Sequence, residues 1–499
     1  MTRTLAAVDL GAQSGRVAVG RFDGERQTVD EVHRFPNVPV KTGDRLHWDV
    51  LRLYSDLLQG LRAAGRADRI DSVAVDSWAV DFGLVDRRGD LLRNPVHYRD
   101  TRRAAEFESV FERVPARELY ERTGIQLLPI NTIFELAAMA ADDDPALAAD
   151  SRLLLIPDLI HHWLCGSLTS EHTNATTTQC LDVRNGAWLV DILERLDVPS
   201  RVLPEVVAPA TVLGTVTADV TADTSIGKPV VVATATHDTA SAVAAIPLRS
   251  SVSAYVSLGT WSLVGIEARE PVLTEAAFHA NVTNEGGVEG TVRILRNVTG
   301  LWLLTECARV WSLAGRTYSI GDLVGLAESC EPLRSFVDPN DPSFAEPGDR
   351  PGRIAEYCER TGQPRPADDG AVVRCIFESL ALKHAETVET LAELTGRPLD
   401  EIHVVGGGAN NELVCRWTAE ASGRVVEAGP AEATVVGNLL VQAMALGELS
   451  SLGEAREVVR RSFATRVYEP ARGAEWSEAR ERFATLAGAG RPVEVGAHE

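Results

Sequence analysis

A strand, a glycine-bearing polar turn and a returning strand occur twice in this chain, once at its start and once near its middle. Ala6-Ala7-Val8 runs into Asp9-Leu10-Gly11-Ala12-Gln13-Ser14-Gly15 and returns as Arg16-Val17-Ala18-Val19. Ser253 to Ser257 runs into Leu258-Gly259-Thr260 and returns as Trp261 to Ile266. Alternating strand and helix patterns follow each copy, which predicts two related α/β domains flanking an interdomain cleft. The length agrees: 499 residues exceed what one core serves, and two domains of about 250 are expected. The boundary is expected between Ala245 and Ser251, giving domains 1–247 and 248–499.

Between the hairpins, the spacing of Val50, Leu53, Leu57 and Leu61 predicts a helix from Asp49 to Ala64. Helices are also expected over Arg117–Thr123, Thr132–Ala141 and Leu153–Leu164, and from Asn410 onward. Ser72–Val75, Val230–Thr234 and Ile402–Val405 read as short buried strands. Pro339–Pro351, rich in Pro, Gly and Asp, reads as a surface loop, and Gly488–Glu499 as a frayed tail.

Composition excludes several classes. A net charge of −22 repels phosphate backbones and anionic lipid, so neither nucleic acid nor a membrane is expected as partner. The apolar stretch Leu5–Leu10 is short and interrupted by Asp9, unlike a signal peptide, and no segment reaches the ~20 apolar residues of a membrane span. Seven scattered cysteines do not form a secreted disulfide framework, and Cys358 and Cys375 read as two buried free thiols. A cytoplasmic protein is expected, with monomer and homodimer both open. The only lysines are Lys41, Lys228 and Lys383, none in a P-loop or protein-kinase context, so any ATP phosphates must be held another way.

The two turns offer that way. Turns of Gly, Ala and Ser leave backbone N–H groups uncovered for phosphate oxygens. Asp9 at the strand end suits a hydrated Mg²⁺, and Arg16 a bidentate phosphate contact. The same residues also suit an ordinary hairpin with a turn-capping Asp. Val404-Val405-Gly406-Gly407-Gly408-Ala409-Asn410 lets a flat adenine or ribose lie against backbone. Asp238, at the end of an apolar strand beside His237 and Thr239, suits a general base acting on a substrate hydroxyl, or equally a cap for a helix over Ala240–Ala245. Trp78, Asp81, Tyr98, Arg99, Asp100 and Arg102 read either as a carbohydrate pocket or as a core Trp with a surface ion-pair set. Asn297 is equally open, and His161-His162 reads as packed rather than metal-binding.

Taken together, Val8-Asp9-Leu10-Gly11-Ala12-Gln13-Ser14-Gly15-Arg16, His237-Asp238-Thr239-Ala240-Ser241-Ala242, Ser257-Leu258-Gly259-Thr260-Trp261-Ser262 and Val405-Gly406-Gly407-Gly408 resemble the FGGY carbohydrate kinases, over nearly the whole chain. Asp76-Ser77-Trp78-Ala79-Val80-Asp81-Phe82, Tyr98-Arg99-Asp100-Thr101-Arg102, Thr173-Asn174-Ala175-Thr176-Thr177-Thr178-Gln179, Asn284-Glu285-Gly286-Gly287 and Asn297 with Gly300-Leu301-Trp302-Leu303-Leu304 are most similar to its rhamnulokinase branch. The resemblance implies the sugar kinase/Hsp70/actin (ribonuclease H-like) fold. It also implies Mg²⁺ and ATP as cofactors and phosphorylation of L-rhamnulose at O1. It implies Asp238 as catalytic base, and Ala12, Gln13, Ser14, Gly15, Arg16, Thr260, Thr305, Gly407 and Gly408 around the nucleotide. Ala79, His237, Thr239 and Asn297 would contact the sugar, joined by Trp78 and Asp81 from the pocket reading above. Ala79 stands where such enzymes carry Gly, and Thr305 where they carry Gln. A kinase for another ketose or polyol (fuculose, xylulose or glycerol) and an ATPase of the same fold are the alternatives.

Overall fold

Leu5, Ala6, Ala7, Val8 and Leu10 are all fully buried, so the opening strand has no solvent face and must sit inside a sheet. In the computed structural model it does. The structure describes residues 2–148, 150–248, 252–344, 348–471 and 474–487. Strand Arg3–Leu10 pairs antiparallel with Ser14–Phe22 and parallel with Ser72–Ser77. The full sheet runs Thr211–Thr215, Val230–Ala233, Ser72–Ser77, Arg3–Leu10, Ser14–Phe22, Gln27–Pro36. The middle hairpin repeats the arrangement: Ser253–Leu258 pairs antiparallel with Trp261–Ala268 and parallel with Glu401–Val405. Val425–Ala428 continues that sheet parallel to Glu401–Val405, and Arg466–Tyr468 closes it antiparallel.

The chain forms two compact units. One comprises the chain up to Pro247, Glu267–Ile294 and Ala433–Phe463; the other comprises Leu248–Ile266, Leu295–Glu432 and the chain from Ala464 on. In the first, helix Val50–Ala67 buries Val50, Leu53, Leu57, Leu61 and Ala64, the stripe read from the sequence. Its N-cap Asp49 accepts the Arg52 N–H. Helix Ala433–Ala445 packs on the same sheet: Gln442 Nε2 donates to the Ala6 carbonyl at 3.0 Å. In the second, the 27-residue helix Asp369–Thr395 is buried along most of its length.

Several expectations are corrected. Leu153–Leu164 is not one helix: Arg152–Leu155 is a strand, antiparallel to Phe82–Val85, and the helix spans Ile156–Cys165. A short apolar run satisfies either period, and here a sheet partner decided it. The helix after Gly406–Gly408 begins at Glu412, capped by Asn411, after a 3₁₀ turn over Gly407–Asn410. Pro339–Pro351 is not simply a surface loop: Pro342–Phe344 forms a 3₁₀ turn that buries Phe344, and a helix starts at Arg350. Gly488–Glu499 lies outside the described residues. Cys358 and Cys375 are both free, and a hydrogen bond from its neighbour lowers the pKa of Cys358.

Candidate active site

The opening turn is stitched by its own backbone. Gly11 N donates to the Ser14 carbonyl at 2.9 Å, and Asn37 holds both sides, donating from Nδ2 to the Gly11 carbonyl and from its backbone N to the Gln13 carbonyl. Asp9 and Arg16 face each other in register, and Arg16 donates to Asp9 Oδ2 from Nε at 2.9 Å and Nη2 at 2.7 Å. Gln13 is exposed, Ala12, Ser14 and Arg16 are half-buried, and Gly15 is buried.

Asp9 has a second acidic neighbour, Asp76, in register on the adjacent parallel strand. Asp76 is fully buried, and burial, then the nearby Asp9 charge, push its carboxyl well above the usual carboxylate range. Asn438 Nδ2 donates to its Oδ2 at 2.6 Å; Gln442 Nε2 donates to Asn438 Oδ1 at 2.7 Å, and Ser72 Oγ to Gln442 Oε1 at 2.6 Å. Asp76 Oδ1 is buried with no hydrogen-bond partner among the described residues.

Asp238 begins helix Asp238–Ala244. His237 occupies the N-cap position without a side-chain cap bond, so the reading of Asp238 as the cap is corrected: the carboxylate is in the first turn. Its side chain keeps 30 % exposure while that of His237 keeps 6 %. Burial raises its pKa, and the Asp9 charge adds to the effect against the pull of His237. Thr239 Oγ1 donates to Asp238 Oδ1 at 3.1 Å. Arg293 Nη2 lies 3.1 Å from His237 Nδ1, Glu285 Oε2 lies 3.3 Å from the same nitrogen, and His237 Nε2 is 3.4 Å from Asp238 Oδ1. Arg293 is paired with Glu285 at 3.0 Å. The helix approaches helix Ala433–Ala445 closely: a Cβ on Gly437 would lie 1.7 Å from the Ser241 carbonyl oxygen, so only glycine fits there.

Of the polar and aromatic cluster, Trp78, Asp81, Tyr98 and Asp100 are buried, and Arg99 and Arg102 are half-buried. Asp81 Oδ2 accepts the indole N–H of Trp48 at 2.5 Å and of Trp78 at 2.9 Å, and Oδ1 accepts from the buried Arg103 at 2.8 Å. Trp48 stacks on His97 at 4.0 Å, and burial lowers the His97 pKa to about 3. Asp100 caps helix Thr101–Arg113, and Arg102 pairs with Glu135. Ala79, half-buried, precedes Val80, whose φ of 67° is unusual for a β-branched residue. Asp81 N donates to the Ala79 carbonyl at 2.9 Å, closing a tight turn around Val80. His161 accepts the Val75 N–H at 3.1 Å from within the core, as a packed histidine does.

In the second unit the remaining nucleotide candidates converge. The Thr260 carbonyl accepts from Gly300 N at 3.1 Å and Trp302 N at 3.2 Å, and the Gly259 carbonyl from Leu301 N at 2.9 Å. Helix Trp302–Leu313 thus starts against the turn, with Thr305 exposed on its first residues. Gly408 packs on the same turn, since a Cβ there would lie 2.2 Å from Leu258 Cγ, while Gly407 faces open space. Asn297 also lies in this unit, on strand Val292–Thr299, its carbonyl accepting from Asn340 at 3.5 Å. Sequence reasoning missed Asp76, Arg293, Asn438, Gln442 and Glu171. Only Asp76 carried a local signal, as a carboxylate ending a buried strand.

Among the described residues, no helix is long and apolar enough to cross a membrane, and no group of three or more His, Cys, Asp or Glu side chains is arranged to hold a metal.

Residues 4–245 match the N-terminal domain and residues 254–446 the C-terminal domain of the FGGY family of carbohydrate kinases. The rhamnulokinase of Bacteroides thetaiotaomicron is 41 % identical over 484 residues, covering 97 % of this chain and 99 % of that one. The rhamnulokinase of Pectobacterium carotovorum subsp. carotovorum is 39 % identical, covering 97 % and 96 %. A ligand-bound xylulose kinase from Lactobacillus acidophilus superposes with a TM-score of 0.81 at 15 % identity, covering 98 % and 97 %. Plasmodium falciparum glycerol kinase with ADP gives 0.78 at 15 %, with the same coverage. These structures share the two-domain α/β fold of the sugar kinase, actin and Hsp70 type. The chain belongs to the FGGY family of carbohydrate kinases.

Proposed function

We propose that the protein transfers the γ-phosphoryl group of ATP to O1 of L-rhamnulose, in the cytoplasm. The observation that carries this is the partly open Asp238 carboxylate in the first turn of helix Asp238–Ala244, flanked by Thr239 and by a His237 that Arg293 and Glu285 both contact. The curated relatives at about 40 % identity along the whole chain supply the sugar. Asp238 accepts the proton of the O1 hydroxyl as that oxygen bonds the γ-phosphorus, and ADP leaves with the bridging oxygen.

Residues 1–247 carry the base, the sugar contacts Ala79, His237 and Thr239, and the phosphate turn Ala12–Arg16. Residues 248–499 carry Asn297 and the remaining nucleotide contacts, Thr260, Thr305, Gly407 and Gly408. Trp78 and Asp81 frame the loop that presents Ala79. Mg²⁺ fits beside Asp9: the donors are hard carboxylate oxygens, Asp76 Oδ1 lacks a partner, and a cation would relieve the mutual repulsion of Asp9, Asp76 and Asp238. When bound, the ion would supply charge neutralisation on the transferring group.

A coupled ADP-release assay across a ketose panel tests this. L-Rhamnulose is expected to give the highest kcat/KM, with phosphate on O1. A second reading, a kinase for a slimmer ketose, is favoured by Ala79, because one added methyl in a packed pocket costs about 1–3 kcal/mol. D-Xylulose clearly outperforming L-rhamnulose would establish it.

A further inference from the structure

The chain leaves its sheet at Ala233 and enters a helix at Asp238, and the four residues between need partners for their backbone groups. The Thr236 carbonyl is taken by Ser77 N at 2.9 Å. The Thr236 N–H goes to a side chain from elsewhere in the chain: Glu171 Oε2, at 2.9 Å. The same oxygen accepts the Thr236 hydroxyl at 2.8 Å and the Thr173 hydroxyl at 2.5 Å, while Oε1 accepts the Thr173 N–H at 2.8 Å. Thr173 Oγ1 in turn accepts the His237 N–H at 3.3 Å.

Glu171 is fully buried, yet none of these partners is a cation; a carboxylate is used as a four-bond acceptor. Such a group is costly to bury unless its bonds are all made, and here each bond clamps a residue at or next to the approach to Asp238. Its own backbone is fixed as well, because Glu171 N donates to the buried Asp158 Oδ1 at 3.3 Å and Ser170 Oγ to Asp158 Oδ2 at 2.8 Å.

We infer that Glu171, acting through Thr173, is a positioning residue for the phosphoryl-transfer reaction, holding the Thr236–His237 backbone so that the Asp238 carboxylate meets the acceptor hydroxyl. The inference rests on the kinase reading and on Asp238 as its base. Glu171 touches neither Asp238 nor the substrate; it sets the aim of the segment that leads into the helix carrying the base. Misplacing a reacting group by about 1 Å costs on the order of 10²-fold in rate.

The test uses the full-length protein with Glu171→Gln, Thr173→Val and Thr173→Ser, measuring sugar-dependent ADP release, KM for ATP and for sugar, and the melting temperature. Glu171→Gln swaps an acceptor for a donor, and Thr173→Val removes the hydroxyl at constant shape. Both are expected to lower kcat by about 10²-fold with KM for ATP near wild type. Thr173→Ser, which keeps the hydroxyl, recovers the rate. Amide exchange at Thr236 and His237 should quicken in the two impaired variants. Unchanged kcat in Glu171→Gln and Thr173→Val overturns the inference. So does a loss of rate that comes with raised KM for both substrates and a collapsed melting temperature, the pattern of general loosening. Wild-type protein without sugar-dependent ADP release would instead overturn the kinase reading, and this inference with it.

Discussion

Asn438 donates from Nδ2 to Asp76 Oδ2 at 2.6 Å across 362 residues of sequence, tying helix Ala433–Ala445 to the strand beside Asp9. The bond is buried at both ends, so nothing in solvent replaces it. Asn438→Leu removes the donor, and Gln442 loses its acceptor too. A destabilisation of about 1–3 kcal/mol is expected, read from the midpoint of urea unfolding. An unchanged midpoint would show that the ladder contributes nothing to stability.

Asp238→Asn keeps the shape and the Thr239 bond but cannot take a proton. kcat should fall by about 10²–10⁴, with ATP affinity by calorimetry unchanged. Near wild-type turnover would leave Asp238 as no more than a residue of its helix's first turn.

Asp9→Ala removes the carboxylate beside the turn and leaves Arg16 with Glu31 at 4.0 Å. Turnover and Mg-ATP binding should both drop sharply while sugar KM stays level. Calorimetric titration of Mg-ATP that matches wild type would take Asp9 out of the metal site.

Asp158 supplies the pH prediction. Burial first, and the neighbouring Glu171 in addition, push its carboxyl well above the usual range, against the Ser170 bond. Folding therefore favours the protonated form. That contribution is complete below the unfolded value near pH 4 and is lost as pH rises through the folded-state pKa. Asp158→Asn cannot ionise, and its amide can donate to Ser170 while its oxygen accepts from Glu171 N. The variant should melt above wild type at pH 8, and thermal scans should show the gap closing on acidification. A gap independent of pH would mean that Asp158 does not titrate on unfolding.

What the amino-acid sequence determined alone was local. Both hairpins, the Val50–Ala67 helix with its Asp49 cap, and the Gly406–Gly408 turn were legible because turn chemistry and residue period act over a few neighbours. Asp238 was legible for the same reason, as a carboxylate just past an apolar run. Tertiary structure decided what depends on distant partners. Leu153–Leu155 became strand because Phe82–Val85 offered it an edge, and a run that short carries no period of its own. Asp81 became the anchor of two indoles and an arginine, which its neighbours in sequence do not reveal. Asp76 with Asn438, His237 with Arg293, and Thr236 with Glu171 are pairs of buried polar groups far apart in the chain. Each must find a partner once water is excluded, and which partner it finds is set only when the sheet and its helices have packed.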